Sequence, residues 1–403
     1  MTERYTLEGG PAVEALLQQI IADVRAALEP LLPKDRWTSL LLIGGYGRGE
    51  GGVETLPDGT ERPHNNLDFL LVTRQLSGGD SSTLKTQLDA ALATLATKHS
   101  LGLDLGMIDE AKLRRSPALV MWYDARFGHK TILGDPQLMP SLTQFSLESV
   151  PFWDIRSLLV NRGTLFVIND MLLERGLESE TERRTVVKHA VKGIIGYGDA
   201  LLFAHGQYDW SYAEKRRRMQ QSPVVPERFK ALYEEAIAFR FRPDYSRFAH
   251  RDLKLWQLDL RCQLSDVHLS VERQRLGKPG LCWDGYIETA LSANLRPERQ
   301  SLLRQGARLV RGSAIPAPAS LSLAAALGVR LGGPREVLSA AFPAVAYTLP
   351  ELRERGLARE LLGSADLSPA ALRRAYLRTW RTHGDINFAT VVQKLGLTLE
   401  ETP

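Results

Sequence analysis

A short apolar run that ends at paired glycines is the feature that most constrains how this 403-residue chain folds. Residues 39–43 read Ser-Leu-Leu-Leu-Ile, as a buried strand does, and Gly44 and Gly45 stop the run as a tight turn would. A second apolar run over residues 67–72 predicts another buried strand. The chain therefore begins to build a sheet within its first fifty residues.

Helical and strand patterns alternate on both sides of these two runs. Apolar residues recur at helical spacing over residues 1–35, where prolines end the pattern, and again over residues 82–99, where Ser81 or Ser82 is the expected N-cap. A third strand is predicted over residues 101–108. The order strand, helix, strand predicts an α/β fold with the sheet covered on at least one face.

The pattern becomes helical from about residue 145. Broad apolar periodicity without strand-like alternation predicts four long helices, over residues 158–173, 183–205, 228–239 and 252–276. Residues 312–322 are rich in small residues and proline, which is typical of a linker. Several short helices are expected beyond it, broken at Gly332-Gly333-Pro334, Pro343 and Pro350.

These patterns predict three consecutive parts. We expect an α/β domain over residues 1–145, an all-helical domain over residues 146–311 and a helical C-terminal region over residues 323–403. Acids outnumber bases in the first part, whereas bases outnumber acids in the remainder. An acidic front and a basic back would suit a metal-bearing site that faces a phosphate-bearing ligand.

Polar side chains interrupt the predicted strands close to the glycine turn. Asn66 and Asp68 project from one face of their strand, because side chains alternate along a strand. Asp104, on the next strand, can point into the same space. Glycines let backbone N–H groups approach phosphate, and a helix after the turn would add partial positive charge. Clustered carboxylates hold Mg²⁺, and two such ions about 3.5–4 Å apart stabilise nucleotidyl transfer.

These residues resemble the DNA polymerase beta-like nucleotidyltransferase superfamily, whose signature is a Gly-Gly or Gly-Ser turn, an acid-x-acid strand and a later third acid. The string Gly-Gly-Tyr-Gly-Arg-Gly-Glu over residues 44–50 is most similar to the turn of the uridylyltransferases that modify the PII signalling protein. A helical second domain is similar to that of kanamycin nucleotidyltransferase. The motifs cover residues 38–135, and residues 130–136 resemble the strand and Gly-Asp turn that often close such domains.

The resemblance implies a mixed-sheet nucleotidyltransferase domain and a role for each site residue. Gly44, Gly45 and Tyr46 would hold the nucleotide phosphates, Asp68 would bind metal, and Asp104 would bind metal or orient the acceptor. The implied cofactor is Mg²⁺, or Mn²⁺. The implied reaction moves a nucleoside monophosphate from a nucleoside triphosphate to a hydroxyl-type acceptor, with pyrophosphate as the leaving group.

Asn66 departs from the resemblance, because the superfamily places an acid at this position. An amide oxygen can bind a hard cation but brings no negative charge, so the affinity for Mg²⁺ should fall. Asp68 and Asp104 would still hold one metal ion together with nucleotide oxygens. The chain between the turn and Asn66 is also longer than usual, so residues 51–63 are expected to form an inserted loop with Asp58-Gly59 at its tip.

Several basic residues have two interpretations each. Arg48 would contact phosphate, or form an ion pair with Glu50 or Asp68. Lys192, with Lys188 one helical turn before it, would hold the triphosphate or acceptor, or simply be solvated. The run Lys-Arg-Arg-Arg over residues 215–218 would bind nucleic acid, or form a charged surface.

Composition excludes several classes of protein. Cys262 and Cys282 are too few for a disulfide framework or a four-thiolate zinc site, and we expect them to be reduced and buried. No segment has the roughly 18 uninterrupted apolar residues of a spanning helix, so no membrane partner is expected. The first residues carry acids where a signal peptide would have bases, which predicts a cytoplasmic location.

Three functional hypotheses remain open from the sequence. The first is a Mg²⁺-dependent nucleotidyltransferase whose acceptor is a small molecule, a protein or an RNA. The second is a nucleotidyltransferase-like protein that has lost catalysis and binds or regulates, for which Asn66 is the evidence. The third is a nucleic-acid-binding protein that uses the basic helical part. The oligomeric state is left open. A positive side chain of the protein placed permanently among the acids would argue against the first hypothesis.

Overall fold

The computed structural model describes residues 4–295, 314–347, 349, 351–385 and 388–399. The chain forms two compact units. Unit 1 comprises Met1–Pro151 and Gln207–Asp244, and unit 2 comprises Phe152–Gly206 and Tyr245–Pro403. Residues 207–244, which the helical pattern grouped with the second part of the chain, therefore pack with the α/β part.

All strands of the described chain belong to unit 1. They are β1 (Trp37–Ile43), β2 (Val53–Thr55), β3 (Glu61–Pro63), β4 (Leu67–Thr73), β5 (Leu103–Asp109) and β6 (Lys130–Gly134). The main sheet is mixed and has the order β5-β4-β1-β6. β1 is antiparallel to β4 and β6, whereas β4 and β5 are parallel. The predicted mixed α/β class and its three apolar strands are confirmed.

Helices make up most of the remaining described chain. The first ten are α1 (Pro11–Leu28), α2 (Gly44–Gly47), α3 (Gly78–His99), α4 (Glu110–Arg114), α5 (Val120–Phe127), α6 (Leu138–Ser141), α7 (Phe152–Arg175), α8 (Glu180–Ala204), α9 (Tyr212–Gln221) and α10 (Glu227–Phe241). The later ones are α11 (Leu253–Leu276), α12 (Tyr286–Ser292), α13 (Leu323–Gly332), α14 (Pro334–Ala346), α15 (Leu352–Leu362), α16 (Pro369–His383) and α17 (Phe388–Lys394). Short 3-10 segments lie at Glu29–Leu31, Leu147–Ser149, Tyr245–Phe248 and Ala293–Leu295.

One face of the main sheet is covered by α1 and α3. This core joins buried apolar residues of both helices to alternate residues of β1 and β4, among them Val13, Leu17, Leu40, Leu42, Phe69, Leu71, Leu84 and Leu88. Because side chains alternate along a strand, the intervening positions point the other way. Asn66 precedes β4, and Asp68 of β4 and Asp104 of β5 are, like it, exposed. The packing of the core therefore sets which face carries these polar residues.

The expected inserted loop is a small hairpin. β2 and β3 pair antiparallel with Val53 opposite Pro63. At the tip Gly59 has φ of 83°, and the backbone N–H of Thr60 donates to Oδ1 of Asp58 at 2.9 Å. The Asp-Gly turn predicted from the sequence is thus confirmed, and the insertion is ordered by strand pairing.

Helix α3 begins earlier than predicted. The side chain of Ser77 accepts a hydrogen bond from the backbone N–H of Asp80 at 3.1 Å, so Ser77 is the N-cap and the helix starts at Gly78. The prediction of Ser81 or Ser82 as the cap is wrong. A serine that already satisfies an N–H of the first turn stands several residues before them.

Unit 2 contains only helices and connecting segments among its described residues. The long helices predicted over residues 158–173, 183–205 and 252–276 are confirmed as α7, α8 and α11, and the one over residues 228–239 is α10 of unit 1. None of the helices in the described ranges combines the length and the apolar character that crossing a membrane requires.

Some expectations for the later chain are corrected. Pro343 lies inside α14 rather than ending a helix, whereas the break at Gly333 is confirmed. Pro350 and the first two residues of the expected linker lie outside the described residues. Cys262 and Cys282 are exposed, so the expectation that they are buried is wrong. Cys262 lies on α11, and Cys282 lies in the connection between α11 and α12.

Candidate functional site

Asp68 and Asp104 lie side by side on neighbouring parallel strands. They are direct register partners in the β4–β5 pair, and both are exposed. In the β1–β4 pair, Asp68 lies opposite Ile43, the last residue of β1 before the glycines. Because neighbouring strands lie about 4.8 Å apart, the two carboxylates share one space at this end of the sheet. The structure thus brings together the two acids that the sequence singled out.

The paired glycines border the same space. Gly44 has φ of 69°, and a Cβ added there would lie 2.7 Å from Oδ2 of Asp68. A Cβ added at Gly45 would lie 2.6 Å from Nη2 of Arg240. Any side chain at either position would therefore displace a charged group. We call Gly44, Gly45, Asp68 and Asp104 the glycine–aspartate site.

The turn is not followed by a long helix. α2 spans only Gly44–Gly47 and leads into the β2–β3 hairpin. The expected contribution of this helix N-terminus to phosphate binding stays a prediction, and a single turn would contribute less than the aligned peptide dipoles of a longer helix. Any phosphate at this turn depends on local backbone N–H groups and nearby side chains.

Asn66 contacts Asp104 directly. Its Nδ2 donates a hydrogen bond to Oδ2 of Asp104 at 2.8 Å, and its Oδ1 lies against Gly102. The amide therefore presents an N–H to the neighbouring carboxylate. The ligand atom of an amide is its oxygen, so to serve as the weak metal ligand that the resemblance suggests, Asn66 would have to turn its Oδ1 from Gly102 toward the aspartates.

The side chain of Tyr46 is part of the core of unit 1. It is 2% exposed, and its hydroxyl donates to the carbonyl of Gly52 at 2.8 Å while accepting from the backbone N–H of His64 at 3.1 Å. Burial raises the pKa of this hydroxyl to about 12. Tyr46 ties the glycine turn to the hairpin, so any contact of this residue with a nucleotide would have to come from its backbone.

Arg48 forms a buried ion pair. Its Nη2 lies 2.5 Å from Oδ2 of Asp124 on α5, and the two side chains are only 7% and 13% exposed. Asp124 also accepts a hydrogen bond from the hydroxyl of Tyr208 at 2.9 Å. Of the two interpretations of Arg48, the ion pair is the one observed, although its partner is neither Glu50 nor Asp68. The arginine fixes the end of the glycine turn against α5.

Glu50 joins the turn to α9. Its carboxylate accepts hydrogen bonds from the hydroxyl of Ser211 at 2.6 Å and from the backbone N–H groups of Tyr212 and Ala213 at 2.8 and 3.1 Å. A carboxylate at a helix N-terminus is favoured by the unpaired N–H groups and by the helix dipole. The motif residue Glu50 therefore positions α9 next to the glycine–aspartate site.

Tyr212, the first residue of α9, is surrounded by three cations. The guanidinium carbons of Arg240 and Arg48 lie 4.1 and 4.8 Å from its ring centroid, and Nζ of Lys215 lies 4.2 Å away. Arg240 and Tyr212 were not predicted as site residues. No local signal marks them, because they approach the glycine turn only after α9 and α10 fold back onto this turn and the β2–β3 hairpin.

The other basic residues named from the sequence are Lys192 of unit 2 and the run over residues 215–218 of unit 1. Lys192 is exposed on α8 in unit 2, and its proposed contact with a triphosphate stays a prediction. In the basic run of α9, Lys215 is fully buried, so its interpretation as surface charge is wrong. The three arginines after it pair with Glu234, with Glu214, and with Asp209 and Glu214 respectively. Such pairing leaves little charge for nucleic acid.

The donor set of the site limits the metal it can hold. Within the described residues, no group of three or more His, Cys, Asp or Glu side chains is arranged to bind a metal ion. Asp68 and Asp104 present two carboxylates, and Asn66 presents an N–H to one of them. Two carboxylates and nucleotide oxygens fit one Mg²⁺. They do not fit the pair of ions expected from the resemblance.

Comparisons with known proteins include a distant similarity to a solved structure. No protein-family model and no curated protein matches this chain. Among solved structures, the chain is similar to a spectinomycin adenyltransferase from Enterococcus faecialis, whose crystal structure contains ATP and spectinomycin. The similarity covers 63% of this chain and 99% of the other, with 13% sequence identity and a TM-score of 0.39. This is a distant likeness.

Proposed function

We propose that the glycine–aspartate site binds a nucleoside triphosphate and transfers its nucleoside monophosphate to a hydroxyl group of an acceptor, with Mg²⁺ as cofactor. The observation that carries this proposal is the register pairing of Asp68 with Asp104 directly beside Gly44. The glycines let a phosphate group approach the backbone of the turn. The two exposed carboxylates beside it can bind a metal ion or accept a proton from the attacking group.

The chemistry needs one bond to form and one to break. The acceptor oxygen bonds to the α-phosphorus, the bond from that phosphorus to the α–β bridging oxygen breaks, and pyrophosphate leaves. The hydroxyl proton passes to a carboxylate, for which Asp104 is our candidate, because Asn66 holds its Oδ2 in one orientation. Asp68 lies nearer the glycine turn, on the side where the phosphates would bind.

Asp68 and Asp104 would hold one Mg²⁺ together with nucleotide oxygens. When bound, this ion would neutralise charge that develops on the phosphate oxygens. The residues of the chain would bind and orient the two substrates around it. Gly44 and Gly45 would let the phosphates approach the backbone, and Glu50 and Arg48 would keep the turn in place through α9 and α5.

A second candidate function is nucleotide binding without transfer. The observation that favours it is the hydrogen bond from Asn66 to Asp104, since an N–H occupies part of the carboxylate that would otherwise bind metal or accept a proton. A protein of this kind would bind nucleotide and regulate or recruit a partner.

The test is to incubate the full chain with each α-labelled nucleoside triphosphate, Mg²⁺ or Mn²⁺, and pools of small hydroxyl compounds, proteins and RNA. Asp68→Asn and Asp104→Asn are the test variants. Asp89→Asn is the matched control, because Asp89 is an exposed acid of the same unit on α3, where it pairs with Lys85. Nucleotide binding is measured in parallel by calorimetry.

Transfer of label that is lost in both site variants and kept in Asp89→Asn is the result expected of the enzyme. Binding without transfer in the native chain, together with transfer by Asn66→Asp, would replace the enzyme with the second candidate. Absence of nucleotide binding in the native chain would contradict both functions.

A further inference from the structure

Arg240 is a cation that lies beside Gly45 of the glycine turn. Its Nη2 is 2.6 Å from the position that a Cβ of Gly45 would occupy, so the guanidinium lies against the Cα of this glycine. Arg240 comes from α10, and both α10 and the turn belong to unit 1. The contact is therefore internal to one compact unit.

The aromatic ring of Tyr212 holds the guanidinium of Arg240 in place. The guanidinium stacks on this ring at 4.1 Å from the centroid. Tyr212 in turn donates its backbone N–H to Glu50, the acid that ends the glycine motif. The contacts therefore run from the glycine turn through Glu50 and Tyr212 to Arg240 and return to the turn at Gly45. A planar guanidinium held on a ring keeps its in-plane N–H groups directed outward, which suits phosphate oxygens.

The charges around the turn differ from those of a two-metal site. The sequence has Asn66 where the resemblance calls for an acid, so one negative charge is absent. Arg240 adds one fixed positive charge beside Gly45, and its Nε is buried without a hydrogen-bond partner. The site therefore has fewer groups to bind cations and one more group to bind an anion. Both changes make the site more favourable for a negatively charged polyphosphate.

We infer that Arg240 binds the terminal phosphates of the nucleotide in place of a second metal ion, so that polyphosphate binding at the glycine–aspartate site does not depend on a divalent cation. This inference rests on the proposed function and adds to it. It assigns Asp68 and Asp104 to the reacting end of the nucleotide and Arg240 to the phosphates that leave. An arginine matches phosphate geometry with paired N–H donors, and such charge-assisted bonds are strong.

The alternative is that Arg240 is a structural cation that only stabilises the turn and the neighbouring acids. In that case its removal would lower stability, and the affinity for nucleotide in the absence of metal would not depend on it. The two roles are separated by measuring binding and unfolding on the same variants.

The experiment measures binding of pyrophosphate, nucleoside triphosphates and the corresponding nucleosides to the full chain by calorimetry, with Mg²⁺ and with a chelator. The variants are Arg240→Gln and Arg240→Lys. Arg217→Gln is the matched control, because Arg217 is an exposed arginine of the same unit on α9, where it pairs with Glu214. Thermal unfolding of each variant verifies that it is folded, and Arg240→Lys keeps the charge if the glutamine variant is unfolded.

We expect the native chain to bind pyrophosphate and triphosphate in the chelator within about tenfold of the affinity in Mg²⁺. Arg240→Gln should weaken both by about tenfold or more and leave the nucleoside unchanged, and Arg240→Lys should give an intermediate loss because a lysine lacks the planar fork. Arg217→Gln should match the native chain.

Triphosphate binding that requires Mg²⁺ and is equal in Arg240→Gln would overturn the inference and leave the proposed function intact. Absence of triphosphate binding in the native chain under both conditions would overturn the proposed function together with the inference.

Discussion

The side-chain amide of Asn66 donates a hydrogen bond of 2.8 Å to the carboxylate of Asp104. An acid at position 66 would place a third negative charge at this point, whereas the amide satisfies one oxygen of Asp104 and holds it. This single contact decides how strongly the glycine–aspartate site can attract a metal ion, because charged oxygens dominate the binding of Mg²⁺.

Replacing Asn66 with aspartate should increase the affinity for Mg²⁺ by about tenfold, since a third carboxylate replaces a hydrogen-bond donor. Calorimetric titration with Mg²⁺ in the absence of nucleotide measures this change. Asn65→Asp is the control, because it adds the same charge at the adjacent residue, whose side chain lies against Gly52 and not against Asp104. Equal Mg²⁺ affinities in the two variants would show that position 66 does not face the metal.

Tyr46→Phe should destabilise unit 1 by about 1–2 kcal/mol, because the hydroxyl that contacts Gly52 and the N–H of His64 is lost from a buried position. Urea unfolding followed by circular dichroism measures the free energy of unfolding. Nucleotide affinity, extrapolated to the folded protein, should remain within about twofold, since the side chain does not reach the site. A large loss of affinity without a loss of stability would place the hydroxyl in nucleotide binding.

Gly44→Ala should cost more stability than Gly59→Ala. Both glycines have positive φ, 69° and 83°, so the backbone penalty of about 1–2 kcal/mol is similar. A Cβ at Gly59 meets nothing within 4 Å, whereas one at Gly44 would lie 2.7 Å from Oδ2 of Asp68. The difference between the two variants in urea unfolding measures the cost of the contact with Asp68. Equal losses would mean that Asp68 moves away freely and is not held beside the turn.

Glu50→Gln should lower the free energy of unfolding by about 1–2 kcal/mol, because the charge at the N-terminus of α9 is lost and an N–H replaces one acceptor oxygen. Because α9 carries Tyr212, the same variant should also weaken nucleotide binding. Glu227→Gln serves as the control, since this side chain is 86% exposed. If Glu50→Gln bound nucleotide with native affinity, the interaction of Glu50 with the N-terminus of α9 would not contribute to nucleotide binding.

Two histidines of unit 2 should make stability depend on pH: His189 on α8, whose pKa burial lowers to about 3, and His268 on α11. His268 is fully buried, its Nδ1 lies 2.8 Å from the hydroxyl of Tyr347, and burial lowers its pKa to about 4. Glu272 on the same helix is also fully buried and paired with Arg275, and its pKa is held at about 2 against the opposing effect of burial.

The unfolded chain takes up a proton on His268 near its ordinary pKa of 6.5, before the folded chain does. Stability is therefore unaffected above about pH 6.5 and is lost as the pH falls from there toward 4, by up to about 3 kcal/mol. Urea unfolding across this range measures the slope. His268→Asn should reduce the slope, and His250→Asn, at an exposed position, should not. An unchanged slope in His268→Asn would assign the pH dependence to other groups.

The features of this protein that its sequence predicts are those set by residues close together in the chain. The apolar runs of β1, β4 and β5 and the periodicity of α1 are dictated by residues close in sequence, because burial requires side chains to alternate on strands and to repeat every three to four positions on helices. The same alternation predicted that Asn66 and Asp68 share a face. The cap at Ser77 was missed because several serines near the start of α3 could each accept an N–H.

The sequence by itself therefore determined the strands, most helices and the pair of acids next to a glycine turn. Tertiary structure alone decided that α9 and α10 pack in unit 1 against the glycine turn, that Arg48 pairs with Asp124, and that Arg240 reaches Gly45. These contacts join residues more than seventy positions apart. Their formation depends on which faces of the helices and the sheet are buried together. Local patterns of residues do not predict which faces pack together.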